Sequence, residues 1–209
     1  MSKPPKDRAA VECVVPAAGA ARRMGAVKQT LELDGTSLIV RAVENALAVC
    51  RRCIVVTGAA HTEVAALLCA IAEVTVVHNR DYERGMFSSI VVGVSEVTTP
   101  AFFVAPADMP FLAPDIYRAL LAERDSLGGA YHGEGWSIFP EMDGRRGHPV
   151  LISSAVAPRL MSEGSRFTSM RQFLSSYPAR TVPTTDDGIF FDIDTPEALN
   201  AARNRVRNG

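Results

Sequence analysis

Short apolar runs of strand length, each followed by a stretch with helical spacing, recur along the first half of the chain, and this alternation limits the fold more than any other feature. Val11 to Val15 is the first run; Ser37 to Val49 then carries apolar residues at helical spacing, and Cys53 to Thr57 is a second run closed by Gly58. His61 to Ile71 reads as a helix, Val74 to His78 as a third strand, Met86 to Val97 as a helix and Ala101 to Val104 as a fourth strand. Pro114 opens a helix to about Arg124, as proline in a first turn does. Strands that are apolar throughout and separated by helices are buried on both faces. The pattern therefore predicts an α/β fold with a mostly parallel sheet between helical layers.

After Gly128 the rhythm changes. Tyr131 to Gly147 holds several glycines, an isolated Trp136 and the run SIFPEMDG, and HPVLI follows. This reads as a small β-rich insert of strand, polar turn and strand. Helical spacing returns at Ser154 to Met161 and Thr168 to Ser175, then a short strand at Arg180 to Pro183 and a last helix from Pro196. With 209 residues and 47% hydrophobic composition, the chain suits one sizeable core. The expected organisation is a disordered tail over residues 1–10 and a single domain over 11–209.

A formal net charge of -1 provides no general basic field for nucleic acid, so any anion site must be built locally. Arg203, Arg205 and Arg207 read as a solvated helix end. Cys50 and Cys53 form a C-x-x-C across an expected helix end and strand start, with no second pair for zinc; with Cys13 and Cys69 they read as buried, reduced thiols. MSKPPKDRAA has no apolar core and no run reaches membrane-spanning length, so a cytoplasmic protein is expected. His61, His78 and His132 read as structural or surface groups.

In open α/β sheets ligands sit beyond the carboxyl ends of the strands, where loops and helix N-termini bring unpaired N–H groups together. The first such loop, from Ala17 through Ala18, Gly19, Ala20 and Ala21, has side chains small enough for backbone N–H groups to approach a ligand, and Arg23 and Lys28 add positive charge. Anionic oxygens are the expected guests, although an alanine-rich turn with solvated arginines fits the residue types too. Gly19 and Gly25 are six apart and no Gly-Lys-Ser/Thr follows, so this is not a Walker A loop.

Asp108, in VAPADMPFL, lies just past the fourth strand between Pro106 and Pro110, which restrict its backbone. Beside a phosphate loop, a fixed carboxylate suits Mg²⁺, which takes one or two carboxylates together with phosphate oxygens. FFDIDTPEAL offers a second. Asp192 and Asp194 are expected to diverge at a strand end, so that Asp194 reaches the metal and Asp192 is the weaker candidate; one of the acidic residues or Thr195 would cap the helix at Pro196.

PAAGAARRMGAVKQTLELDGTSLI, NRDYERGMFSSI, PADMPFL, DGRRGHPVLI and DIDTPEAL resemble, in order, the motifs of the MobA-like NTP transferases, the nucleotidyltransferases of molybdenum cofactor. The likeness runs from Val11 to about Leu199. It implies a Rossmann-like, three-layer α/β/α nucleotide-diphospho-sugar transferase fold. The activity it implies is transfer of a nucleoside monophosphate from an NTP to the phosphate of molybdopterin, with release of pyrophosphate.

The family's opening motif falls on Pro16 to Lys28, where Gly19, Arg23, Gly25 and Lys28 match, while Pro16 stands for leucine and Ala21 for the common serine. By this resemblance Arg23, Lys28 and Asp108 are catalytic, and Ala17, Ala18, Gly19, Gly25, Gly85, Met86, Ser88 and Ser89 bind nucleotide. Arg146, Gly147 and His148 bind the acceptor, and Asp108 with Asp194 holds Mg²⁺ or Mn²⁺. Ala18-Gly19 is the pattern of the cytidylyl branch, so CTP is favoured over GTP. A molybdoenzyme or its chaperone is the implied recipient of the product, with no nucleic acid and no membrane involved. The alternatives are transfer to another small phosphate, such as that of a sugar, polyol or phospholactate, and a non-catalytic nucleotide- or cofactor-binding module.

Overall fold

A computed structural model describes residues 9–19, 27–127 and 133–208 of the chain. The expected alternation is present, with shifted ends. β1 (Ala9–Ala17) begins inside the segment expected to be a tail. A hairpin of β2 (Glu32–Leu33) and β3 (Thr36–Ser37) precedes α1 (Leu38–Leu47), and β4 (Cys50–Thr57), α2 (His61–Leu68) and β5 (Val74–His78) follow. Then come α3 (Met86–Val94), β6 (Ala101–Val104) and α4 (Pro114–Ser126). The β-rich insert comprises β7 (Ser137–Met142), β8 (Arg145–Arg146) and β9 (Val150–Ser153). α5 (Ala157–Glu163), α6 (Met170–Leu174), β10 (Ala179–Pro183) and α7 (Pro196–Asn208) complete the chain.

The main sheet has the order β5-β4-β1-β6-β9-β7-β10, with β8 paired to β7. β1 is parallel to both β4 and β6, β4 to β5, and β10 to β7, whereas β9 runs antiparallel to β6 and to β7. Thus the insert is not an appendage: it extends the sheet. Both tight hairpins turn on Asp-Gly, Asp34-Gly35 and Asp143-Gly144, with positive φ at both residues, the backbone that a two-residue hairpin requires.

Alternation along β1 divides the core. Val11, Cys13 and Val15 face one layer, with Ile39, Val43 and Leu120, while Val14 faces the other, with Phe87, Ile90, Phe102 and Phe173. A third, smaller cluster of Leu33, Leu38, Ile193, Leu199 and Ala202 ties the hairpin beyond β1 to the C-terminal segment. It brings residues distant in sequence to one edge of the sheet.

Two readings of the thiols change. Cys50 and Cys53 both lie within β4, and Cys13 faces Cys53 in register on β1; all three are buried and reduced. Cys69 is exposed, because it stands just past the end of α2. His61 and His78 also have partners: their rings stack at 4.5 Å, and His61 Nδ1 lies 2.7 Å from Thr57 Oγ1. His132 lies outside the described residues. Among the described residues no helix is long and apolar enough to cross a membrane.

Candidate active site

The loop after β1 starts from two short-side-chain residues, Ala17 and Ala18, both buried, and Gly19, which is exposed. Its backbone is held from below by Gln29, whose Nε2 donates to the carbonyls of Ala17 at 2.9 Å and Gly19 at 3.1 Å. Arg23 and Gly25 lie outside the described residues. The chain returns as a 3-10 turn, Lys28–Thr30, that buries Lys28 and Gln29.

Lys28 Nζ reaches Asp108 Oδ2 at 2.7 Å and also bonds Asp194 Oδ1. Burial works against its ammonium, but the charge and hydrogen bond of Asp108, followed by those of Asp194, prevail and hold its pKa above the ordinary value. Lys28 is therefore a fixed cation between two carboxylates.

Three contacts deliver those carboxylates. Beyond β6 the chain continues beside β1, Ala105 donating to the Val14 carbonyl at 3.0 Å, which carries Asp108 to the mouth of the first loop. Ile193 N then donates to the Asp108 carbonyl at 3.0 Å, and the Ile193 side chain is fully buried in the third cluster. Pinned at residue 193, the chain presents the acidic residues on either side of it.

Here the expected divergence of Asp192 and Asp194 is wrong. Residues two apart in extended chain share a face, and this segment lies outside every strand. Asp192 is hydrogen-bonded to Asp194. Its pKa is raised by partial burial first, then by the charge and hydrogen bond of Asp194 and the charge of Asp108. Helix α7 is capped by Thr195, whose Oγ1 accepts from Ala198 N at 3.2 Å.

Among the described residues no three His, Cys, Asp or Glu side chains form a ready-made metal cage. The donor set nevertheless fits a hard divalent cation of the Mg²⁺ type, because Asp108 and Asp194 already hold a positive charge between them and phosphate oxygens complete such a sphere. Asp192 adds negative charge to that pair. Asp192→Asn is accordingly expected to raise the metal concentration needed for half-maximal turnover about tenfold, with little change in stability. A metal titration of pyrophosphate release checks this, and an unchanged midpoint would remove Asp192 from the site.

The loop after β5 is organised by Asn79, a buried amide that sequence reasoning missed. Its Nδ2 donates to Ser88 Oγ at 2.9 Å and Ser89 Oγ at 3.0 Å, and its Oδ1 accepts from Asp81 N at 3.0 Å. Gly85 starts α3 with φ 96°, a backbone that side-chain-bearing residues rarely adopt. Ser88 Oγ donates to the Gly85 carbonyl at 2.8 Å, and Met86 is 55% exposed. Ser89 is fully buried, and its hydroxyl accepts from Asn79 in that network. A polar amide ending an apolar strand was the available signal for Asn79, as was a glutamine in an apolar turn for Gln29.

The acceptor candidates line a cleft of about 810 Å³. Its walls include Met86, Phe87 and Ile90 of α3, Phe139 of β7, Arg145, Arg146, Gly147 and His148, and Thr168 to Arg171. Gly147 is required by close approach, since a Cβ there would meet the Ile189 carbonyl oxygen at 2.6 Å. His148 N donates to the same carbonyl at 3.0 Å. Burial lowers the pKa of His148, outweighing a hydrogen bond with the Val104 backbone and the attraction of Asp108, which raise it; the repulsion of Arg171 adds to the lowering, and the ring stays neutral near pH 7. Its Nδ1 is enclosed and has no partner among the described residues.

Solved structures with this architecture include a nucleotidyl transferase from Methanothermobacter thermautotroptrophicus, with a TM-score of 0.78 and 22% identity over 96% of this chain and 99% of that one. A Mycobacterium tuberculosis H37Rv protein solved with manganese has a TM-score of 0.69 and 22% identity over 94% and 99%. The fold is that of nucleotidyltransferases.

The MobA-like NTP transferase domain matches residues 13–181, and the chain belongs to that family. It is a nucleotidyltransferase. Molybdenum cofactor cytidylyltransferase of Escherichia coli K12 is 34% identical over 198 residues, 94% of this chain and 97% of that protein. A probable molybdenum cofactor guanylyltransferase of Natronomonas pharaonis is 30% identical over 92% of this chain and 96% of its own length. Nicotine blue oxidoreductase of Paenarthrobacter nicotinovorans has the same identity and coverages.

Proposed function

We propose that the protein transfers CMP from CTP to the terminal phosphate of a molybdopterin-type acceptor, releasing pyrophosphate and using Mg²⁺, with Mn²⁺ able to replace it. The observation that carries this reading is the Lys28 ammonium held between Asp108 and Asp194 at the carboxyl edge of the sheet. The 34% identity with a cytidylyltransferase, the Ala18-Gly19 pair and the manganese complex of a structural relative support it.

An acceptor phosphate oxygen forms a new bond to the α-phosphorus while the bond from that phosphorus to the β-phosphate oxygen breaks, and pyrophosphate departs with the electron pair. The attacking phosphate is already largely dianionic near pH 7, since its second pKa lies near 6, so no protein base is needed. The residues then have to position charge and neutralise it. Backbone groups of Ala17, Ala18 and Gly19 cradle the nucleotide, Gln29 holding the carbonyls of Ala17 and Gly19. Lys28 and Arg23 neutralise the triphosphate and the leaving pyrophosphate. Asp108 and Asp194 would hold the divalent cation, which when bound lowers the cost of charge building on phosphate oxygens. Gly85, Met86 and Ser88 close over the nucleotide, Met86 also lining the cleft in which Arg146, Gly147 and His148 receive the acceptor.

Pyrophosphate release measured with CTP or GTP, with and without molybdopterin, tests the reading. Release that needs both CTP and acceptor is expected. A preference for GTP would reassign the base, and release indifferent to molybdopterin would overturn the acceptor.

A further inference from the structure

Gly58, the residue that closes the second apolar run, is buried where the loop after β1 meets the turn before α3. A Cβ placed on it would stand 2.5 Å from the Ala18 carbonyl oxygen and 2.7 Å from both Cβ and Cγ of Tyr82, closer than side chains come to such atoms. Gly58 is not among the described residues with positive φ, so the demand for glycine there is for room rather than for an unusual backbone. The Tyr82 carbonyl in turn accepts from Gly85 N at 3.0 Å. One missing side chain thus lets the first loop and the Gly85 segment pack against each other.

The surroundings of Gly58 are fixed on every side. Thr57 pairs with Ala17 across β1 and β4, its carbonyl accepts from Asn79 N at 2.9 Å, and the Gly58 carbonyl accepts from His61 N at 3.1 Å. On the loop side, Gln29 Nε2 holds the carbonyls before and after Ala18, those of Ala17 and Gly19. An Ala18 carbonyl pushed aside therefore turns rather than slides. Because the peptide is planar, the Gly19 N–H turns with it.

We propose that Gly58 is a positioning residue for nucleotidyl transfer: the space of its absent Cβ sets the tilt of the peptide between Ala18 and Gly19 and seats the Tyr82 turn beside it. This rests on the reading of Ala17, Ala18 and Gly19 as the nucleotide's cradle and adds a residue that acts through it.

The test compares wild type with Gly58→Ala, Tyr82→Gly, the double variant Gly58→Ala/Tyr82→Gly and Gly135→Ala. Gly135 is the control for crowding alone, since a Cβ there would meet the side chains of Val156 at 2.5 Å and Tyr177 at 2.6 Å, away from the cradle. Each protein is measured for CTP binding with Mg²⁺ and no acceptor, for pyrophosphate release and for chemical denaturation. Gly58→Ala is expected to raise the Kd for CTP about tenfold, the scale of one hydrogen bond to a charged oxygen. Its kcat/KM for CTP should fall about a hundredfold, as misplacement of a reacting group by about 1 Å does, with the KM for acceptor near the wild-type value. The Gly19 amide resonance, read in glycine-labelled protein without nucleotide and assigned by its loss in Gly19→Ala, should move in Gly58→Ala.

Removing the Tyr82 side chain gives the chain room to back away from the Ala18 carbonyl, so the double variant should bind CTP more tightly than Gly58→Ala, a non-additive rescue. Gly135→Ala should lose stability yet keep the wild-type Kd and Gly19 resonance. A destabilised Gly58→Ala that binds CTP as wild type does, or a double variant without rescue, overturns the inference. Should Gly58→Ala not fold, the double variant is read against Tyr82→Gly: a displaced Gly19 resonance and a raised Kd support the role, and their absence overturns it. If wild type binds CTP but transfers nothing, the function above fails while these two readouts still decide the role of Gly58. If wild type binds no nucleotide, the cradle and this inference fail together.

Discussion

Lys28→Ala is expected to lower nucleotidyl transfer by about three orders of magnitude and, in the same protein without nucleotide, to tighten the binding of Mn²⁺. Both effects follow from the position of one ammonium group. With substrate present, Lys28 is a buried cation available to the triphosphate, and removing a preorganised charge of this kind from a phosphoryl-transfer site costs factors of about 10² to 10⁵. Without substrate, the same ammonium occupies Asp108 and Asp194. A divalent cation must displace it before using those oxygens, and in Lys28→Ala the competition is gone. The fold should tolerate the change, because Asp194 is 60% exposed at its side chain and water screens what the lysine leaves behind.

Titration of Mn²⁺ by electron paramagnetic resonance, beside a steady-state assay, measures the two effects together. The expected pair is a Kd lowered about tenfold and a kcat lowered about a thousandfold. Weaker Mn²⁺ binding in Lys28→Ala would show that the lysine does not compete for the metal's carboxylates. Undiminished turnover would remove it from the catalytic group. Asp108→Asn supplies the opposite case, since it weakens both the metal and the lysine anchor and should lose both functions.

Lys28 and Asp108 stood out in the sequence because Lys28 belongs to the small-residue loop after the first strand and Asp108 interrupts an apolar run just past the fourth, and the α/β layout concentrates ligand sites beyond strand carboxyl ends. The partnership of Lys28 with Asp194 could not. It depends on Ile193 being buried in the small third cluster, and a contact between residues 28 and 194 leaves no trace in local periodicity. The Asp192 expectation failed for a related reason. Local alternation says which residues share a face only once the chain's conformation is known, and here the segment is held by Ile193 rather than by strand pairing.

The sheet shows the same division. Continuous apolar strands announced the parallel half, β5-β4-β1-β6, but nothing local tells β9 to run antiparallel between β6 and β7 and so lengthen the sheet. Ser88 and Ser89 are neighbours in sequence, yet helical geometry turns successive side chains by about 100°, and that rotation buries Ser89 while leaving Ser88 partly exposed. Arg171 gave no signal at all, because an arginine two residues after an N-capping serine is ordinary and only the fold brings it into the wall of the cleft that His148 also lines.

Far from this chemistry, Glu12→Ala is expected to cost about 3–5 kcal/mol of folding stability. Glu12 lies five residues before Ala17 on β1, so about 16 Å of strand separates it from the nucleotide loop. Its side chain is fully buried. Arg51 at 2.9 Å, the Thr98 N–H at 2.7 Å and the Thr98 hydroxyl at 2.9 Å hydrogen-bond it, and Arg52 Nε stands 3.1 Å away as an ion-pair partner without hydrogen-bond alignment. Truncation leaves those donors around a void, which is the expensive way to break a buried charge network.

Burial alone would raise the Glu12 pKa. The Thr98 N–H, then the Arg51 and Thr98 side-chain bonds and the Arg52 charge, outweigh burial and bring it below the ordinary value of 4.5. A carboxyl whose folded pKa is depressed stabilises the fold above its unfolded pKa, and that stability drains away as pH falls through the folded value. Chemical denaturation of wild type and Glu12→Gln should therefore differ by a constant amount from pH 6 to pH 8 and converge as pH drops below about 4.5. A gap that persists unchanged under acid would mean that shape, not charge, accounts for it. In either variant, turnover at a temperature where it remains folded should match wild type, since the network braces the sheet's amino end and touches no residue that binds nucleotide or acceptor.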